Sequence, residues 1–100
     1  MTRKLSIDLV GRRSPMKNIL GAQMRAARAL LRWAAADLVR ESGVSLATIH
    51  RAESVDGVSA MTLANASAIR RALENAGIEL IEEDGGGPGA RLKRPLSDRS

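Results

Sequence analysis

The chain has 100 residues, 44% hydrophobic and 27% charged, which is one domain's worth of ordinary soluble composition and argues against both disorder and a membrane protein. Sixteen basic residues against eleven acidic ones leave a net charge of +5 and a pI near 11.0, so the surface is expected to attract polyanions, nucleic acid first among them. The lack of cysteine excludes disulfides and thiolate zinc sites, and no stretch approaches the roughly 18 apolar residues of a membrane span or the apolar segment of a signal peptide, so a cytoplasmic protein is expected.

Trp33 is the sole aromatic residue, so the core must be built from Leu, Ile, Val, Met and much Ala, a composition that favours helix over sheet. Residues 1–17 carry Arg3, Lys4, Arg12, Arg13 and Lys17 against a single acid, Asp8, with Gly11 and Pro15 breaking any regular pattern; they are expected to form a flexible basic arm. From Asn18 to Arg32, Leu20, Met24, Ala27 and Leu31 fall at helical spacing, with Arg25, Arg28 and Arg32 on a separate stripe. Ala34 to Ser42 read as a short second helix with Leu38 and Val39 inward, stopped by Gly43, which can take the left-handed conformation that ends a helix.

Val44 is expected to plug the following turn, and Ser45 is a natural N-cap for a third helix running to Ala52 or Glu53. Ser54 to Ser59 read as a loop, and Met61 to Asn75 as a long fourth helix whose inward positions and border are Leu63, Ala66, Ile69, Arg70 and Leu73, ended by Gly77. Ile78 to Glu82 and Ala90 to Lys93 have strand character on either side of the turn-forming run Asp84 to Gly89, and together predict a β-hairpin. The division is thus an arm (1–17), a helix-turn-helix domain (18–77, with the helix-turn-helix at about 35–53), a hairpin (78–93) and a disordered tail (94–100).

The run Gln23 to Glu53, QMRAARALLRWAAADLVRESGVSLATIHRAE, resembles the phage-repressor/Cro-type (XRE) helix-turn-helix family of bacterial transcriptional regulators, through Leu38, Gly43, Val44, Ser45, Thr48, Ile49 and Glu53. Met61 to Leu92 resembles the C-terminal half of a small proteobacterial branch of that family with a glycine-rich turn after the last helix. The resemblance implies a mainly α, repressor/Cro-like DNA-binding domain of four to five helices with a short C-terminal β-hairpin. It implies a third helix lying in the major groove of double-stranded DNA, with Ser45, Leu46, Ala47, His50 and Arg51 facing bases. Thr48 and Ser54, with the Arg25, Arg28 and Arg32 stripe, are the phosphate candidates, although such a stripe is equally often a solvated face. Where the family has a polar cap and a phosphate-touching Gln at the start of helix 2, this sequence has Ala34 and Ala35.

Other residues invite sharper readings that their surroundings oppose. His50 has no cysteine or acid at ligand spacing, so neither a metal nor a catalytic role is expected. The run GGGPG lacks the GK[ST] ending of a phosphate-binding loop, and Glu82, Glu83 and Asp84 sit beside a turn without partners. No nucleophile with a positioned base is legible, so no enzyme and no cofactor are expected. A two-stranded ribbon is marginal alone, so Ile78, Leu80 and Leu92 must pack on the helices or pair across a dimer, and a homodimer through that edge is expected. The alternative function is a protein-interaction module, of antitoxin or anti-activator type, with a regulatory protein as partner.

Overall fold

A computed structural model of the chain describes residues 18–96. The expected arm lies outside the described residues, as does the tail from 97 onward. Four helices, α1 (Gly21–Leu31), α2 (Ala35–Ser42), α3 (Leu46–Glu53) and α4 (Leu63–Asn75), precede the strands β1 (Ile78–Ile81) and β2 (Gly89–Leu92). The protein is mainly helical, with a two-stranded antiparallel hairpin as its C-terminal element.

The helix α1 begins three residues later than its periodicity predicts. Leu20 is extended and forms an isolated antiparallel bridge with Val58, so the chain runs in as a strand before it coils. The first free amides of the helix are satisfied from outside it: Gly21 N–H donates to Gly57 O and Ala22 N–H to Asp56 O, both at 3.0 Å. This approach is so close that a Cβ on Gly21 would sit 1.9 Å from Val55 O and 2.5 Å from Ala52 O. At its other end α1 stops in a Schellman arrangement: Trp33 N–H donates to Arg28 O at 2.8 Å and Arg32 N–H to Ala29 O at 3.1 Å. The left-handed position is taken by Arg32, at φ 58°, where glycine would be less strained.

Between α2 and α3 the expected turn chemistry is present. Gly43 has φ 77°, Val44 is buried, and Ser42 Oγ donates to Leu38 O while accepting from Val44 N–H. Ser45 caps α3 by accepting from Thr48 N–H at 3.2 Å. Thr62 does the same for α4 through Asn65 N–H, which sets the start of that helix at Leu63 rather than Met61. Leu63, expected to face inward, is exposed: it is the first residue of α4, ahead of the packed stripe Ala66, Ile69, Ala72 and Leu73.

The core is one cluster of aliphatic side chains from every element, among them Ile19, Met24, Leu38, Ile49, Ile69, Leu73 and Ile78, with Trp33 half-buried against it. β1 pairs with β2 in the register Ile78↔Leu92, Glu79↔Arg91, Leu80↔Ala90 and Ile81↔Gly89. The two-residue period of a strand sends Ile78 and Leu80 inward and Glu79 outward. This revises the expected dimer contact: Ile78 and Leu80 are buried in the core of their own protomer, and of the three residues only Leu92 stays half-buried. The hairpin is fastened by Gln23, a buried amide on α1 that accepts from Leu20 N–H and donates to both Ile81 O and Gly89 O.

Two glycine substitutions separate steric crowding from backbone strain. Gly21→Ala drives a methyl into backbone carbonyls and is expected to cost about 3 kcal/mol or more. Gly43→Ala, with open space around it but φ 77°, is expected to cost about 1–2 kcal/mol. Thermal denaturation of the two variants should preserve that order.

Candidate nucleic-acid interface

The short helix α3 has two unlike sides. Ile49, Ala52 and Glu53 are buried against the rest of the protein, while Leu46, Ala47, His50, Arg51 and Ser54 are exposed. Those five positions recur at intervals of one, three, one and three residues, which is a single helical face. The turn at Gly43 and Val44 sets the direction of α3, and contacts with α1 and α2 support its inner side.

The expected base-facing residues are therefore brought together, with different chemical freedom. Ser45 is exposed, but its hydroxyl serves the cap and lies 2.9 Å from Thr48 Oγ1, and Thr48 is half-buried. Ser54 Oγ donates back to Arg51 O at 2.7 Å. Leu46 presents an apolar side chain that is 44% exposed. Neither His50 nor Arg51 spends its side chain on a partner among the described residues, so both remain available to an external one. Arg51 is the stronger candidate, because a guanidinium offers a fork of donors matched to guanine O6 and N7 or to a phosphate.

The arginine stripe of α1 divides in a way its spacing conceals. Arg28 makes a bidentate pair with Glu53, Nε to Oε2 at 2.8 Å and Nη2 to Oε1 at 2.7 Å, and its remaining Nη1 donates to Trp33 O at 2.8 Å. Arg25 donates to Glu53 O and Val55 O and forms an ion pair with Asp56. Both guanidiniums, expected on phosphates or in solvent, are thus spent on holding the end of α3 and the following loop. Arg32 is exposed and free of side-chain partners among the described residues. Glu53 raises the Arg28 pKa above its ordinary value through their hydrogen bonds, although burial opposes the charge.

At the start of α2, where Ala34 supplies no side-chain acceptor, Asp37 closes the helix end by accepting from Ala34 N–H at 2.8 Å. Arg40, one turn on, is the larger influence holding the Asp37 carboxyl below its ordinary range, and the Ala34 amide adds to it. Sequence reading missed the tasks of Gln23 and Asp37: each accepts from the N–H three residues before it, as the second residue of a capping box does, but Leu20 and Ala34 lack the hydroxyl by which that motif is recognised.

The described residues carry ten basic and nine acidic side chains, a balance of only +1, so +4 of the chain's +5 belongs to residues 1–17. Among the described residues, no group of three or more His, Asp or Glu is placed to hold a metal ion, and no helix is long and apolar enough to cross a membrane. Comparisons with protein families, curated proteins and solved structures return no match to this chain.

Glu53→Gln strands the Arg28 charge in a site where the two side chains are 22% and 8% exposed, and is expected to cost about 2–3 kcal/mol in urea unfolding. The double change Arg28→Met, Glu53→Leu should recover much of that loss, because the desolvation of both charges disappears with them. Asp37, ionised more readily folded than unfolded, contributes stability that is full above its ordinary pKa and is lost as pH falls through the lowered one. Asp37→Asn is accordingly expected to be less stable than the parent at neutral pH, with the two unfolding midpoints converging on acidification.

Proposed function

We propose that this chain is a sequence-specific double-stranded DNA-binding regulator of transcription, a repressor acting as a dimer on a palindromic operator, with α3 inserted in the major groove. The observation that carries the reading is the outer face of α3, where Leu46, Ala47, His50 and Arg51 are exposed on a helix whose inner face and end are fixed by the core and by Arg28. A helix presented this way needs no rearrangement to lie in a groove about 12 Å wide. Arg51 is assigned to guanine or phosphate, His50 to a base edge, Leu46 and Ala47 to a thymine methyl, and Arg32 to phosphate. A two-fold dimer would place two copies of α3 about 34 Å apart, one on each half-site.

The near-neutral balance of residues 18–96 and the exposed Leu46 favour a second reading, in which the same face receives a protein partner. Binding to genomic DNA fragments, including the region upstream of the protein's own gene, across a salt series distinguishes the two. Under the first reading, selected fragments bind tightly, the affinity falls with salt, and Arg51→Ala costs about 1–3 kcal/mol of binding. That variant should leave stability within about 0.5 kcal/mol, because Arg51 is exposed and has no side-chain partner among the described residues. Weak binding, equal on all fragments and indifferent to Arg51, would favour the protein partner.

A further inference from the structure

Five of the ten basic side chains in residues 18–96, those of Arg25, Arg28, Arg40, Arg70 and Arg91, are paired with carboxylates. Of the other five, Arg51 lies on the outer face of α3, and the remaining four gather where α1 and α4 end. Lys93 and Arg94 line a cleft there, Arg32 directly follows its lining residue Leu31, and Arg71 stands one turn before its lining residue Asn75 on the same face of α4. This charge is not balanced on the spot: Glu74 is the one acid among the lining residues, and its carboxylate already lies 3.5 Å from Arg70.

The cleft holds about 390 Å³, within the roughly 300–1,000 Å³ of small-molecule sites. Its apolar part is Leu31 from α1 and Leu92 from β2, both half-buried and packed on the core. Gly77 lines it at the passage from α4 to β1 with φ 105°, and a Cβ there would meet no atom within 4 Å, so the chain turns without a side chain to fill the space. Lys93 fastens this wall, since its N–H donates to Gly77 O at 2.8 Å and its Nζ to Glu74 O at 3.1 Å. The ammonium keeps two further donors, Arg94 is exposed with no side-chain partner among the described residues, and the exposed Asn75 adds an amide.

We propose that this cleft binds a small organic anion, a carboxylate carrying a short aliphatic chain, with its head on Lys93 and Arg94 and its chain over Leu31 and Leu92. Two cations and an amide around one spot match the two oxygens of a carboxylate, and the adjoining leucines give an aliphatic chain a surface to cover. A doubly charged head is opposed by Glu74, a cationic ligand by Lys93 and Arg94, and an uncharged one leaves both cations without a partner. None of the lining residues belongs to α3, so the ligand does not compete for the outer face of that helix, and the site stands whichever partner α3 receives.

The test titrates the full chain with hexanoate at constant ionic strength and follows backbone amide shifts by NMR. Saturable shifts are expected at Leu31, Gly77, Leu92, Lys93 and Arg94, with a Kd on the order of 1 mM for so small a probe. Acetate, which lacks the chain, and 1-hexanol, which lacks the charge, should each bind at least about fivefold more weakly. Arg94→Gln should weaken hexanoate at least about threefold, and Lys93→Gln with Arg94→Gln at least about fivefold. Arg94 has no internal partner to lose, so the single variant keeps the test independent of any effect on folding. No saturable shift at these residues up to about ten times the expected Kd overturns the proposal. So does 1-hexanol binding as well as hexanoate, acetate binding as well as hexanoate, or an affinity indifferent to both substitutions.

Discussion

The placement of α3 depends on Arg28. This one side chain joins three parts of the chain: it belongs to α1, donates to the carbonyl of Trp33 at the passage into α2, and makes a two-bond pair with Glu53 at the last turn of α3. A charge buried this far is tolerated because all three nitrogens of the guanidinium donate, and both oxygens of Glu53 accept. Hydrophobic contact alone would let a helix of eight residues rotate or slide on an aliphatic core, since methyl groups fix no angle. A bidentate pair at its end does fix one, and Arg25 reinforces it by holding Glu53 O and Val55 O.

The same junction explains the cost borne at two backbone positions. Gly21 permits α1 to touch the carbonyls of Ala52 and Val55, an approach that no side chain would allow. Arg32 sits in the left-handed region without being glycine, and its neighbour Trp33 completes the bonds that close α1. Both features keep the connections short, so that the start of α1, the end of α3 and the loop after it form one hydrogen-bonded knot. The hairpin is tied in separately by Gln23, whose amide meets carbonyls from both strands at the end of their ladder.

Charge is distributed by the fold in a way that total composition hides. A net +5 suggests a basic surface, but the described residues neutralise half of their ten cations in pairs such as Arg70 with Glu82 and Arg91 with Glu79. The outer face of α3 is then conspicuous less for the amount of its charge than for its freedom: Arg51 and His50 have no internal duty among the described residues. This is the condition for specific contact, because a guanidinium already paired must break one interaction before it makes another.

Local rules were enough to place the elements. Apolar spacing along α1, α2 and α4, the cap at Ser45, the glycine at 43 and the run Asp84 to Gly89 each act within a few residues, so they are legible in the chain. The outer face of α3 was expected only through the family resemblance, and the burial of Ile49 and Ala52 leaves Ala47, His50 and Arg51 exposed. What the sequence could not assign was which charged and apolar residues are already occupied. Arg28 and Glu53 are 25 residues apart, Gln23 and Gly89 are 66 apart, and nothing in their spacing announces a partner. Ile78 and Leu80 could equally have served a dimer, and the packing of β1 on α4 placed them in the core instead. By itself the sequence determined the approximate helices, the cap at Ser45 and the hairpin, because those follow from local backbone and periodicity; only the tertiary structure decided which arginines among the described residues remain free for a ligand, because ion pairing depends on where distant parts of the chain come to lie.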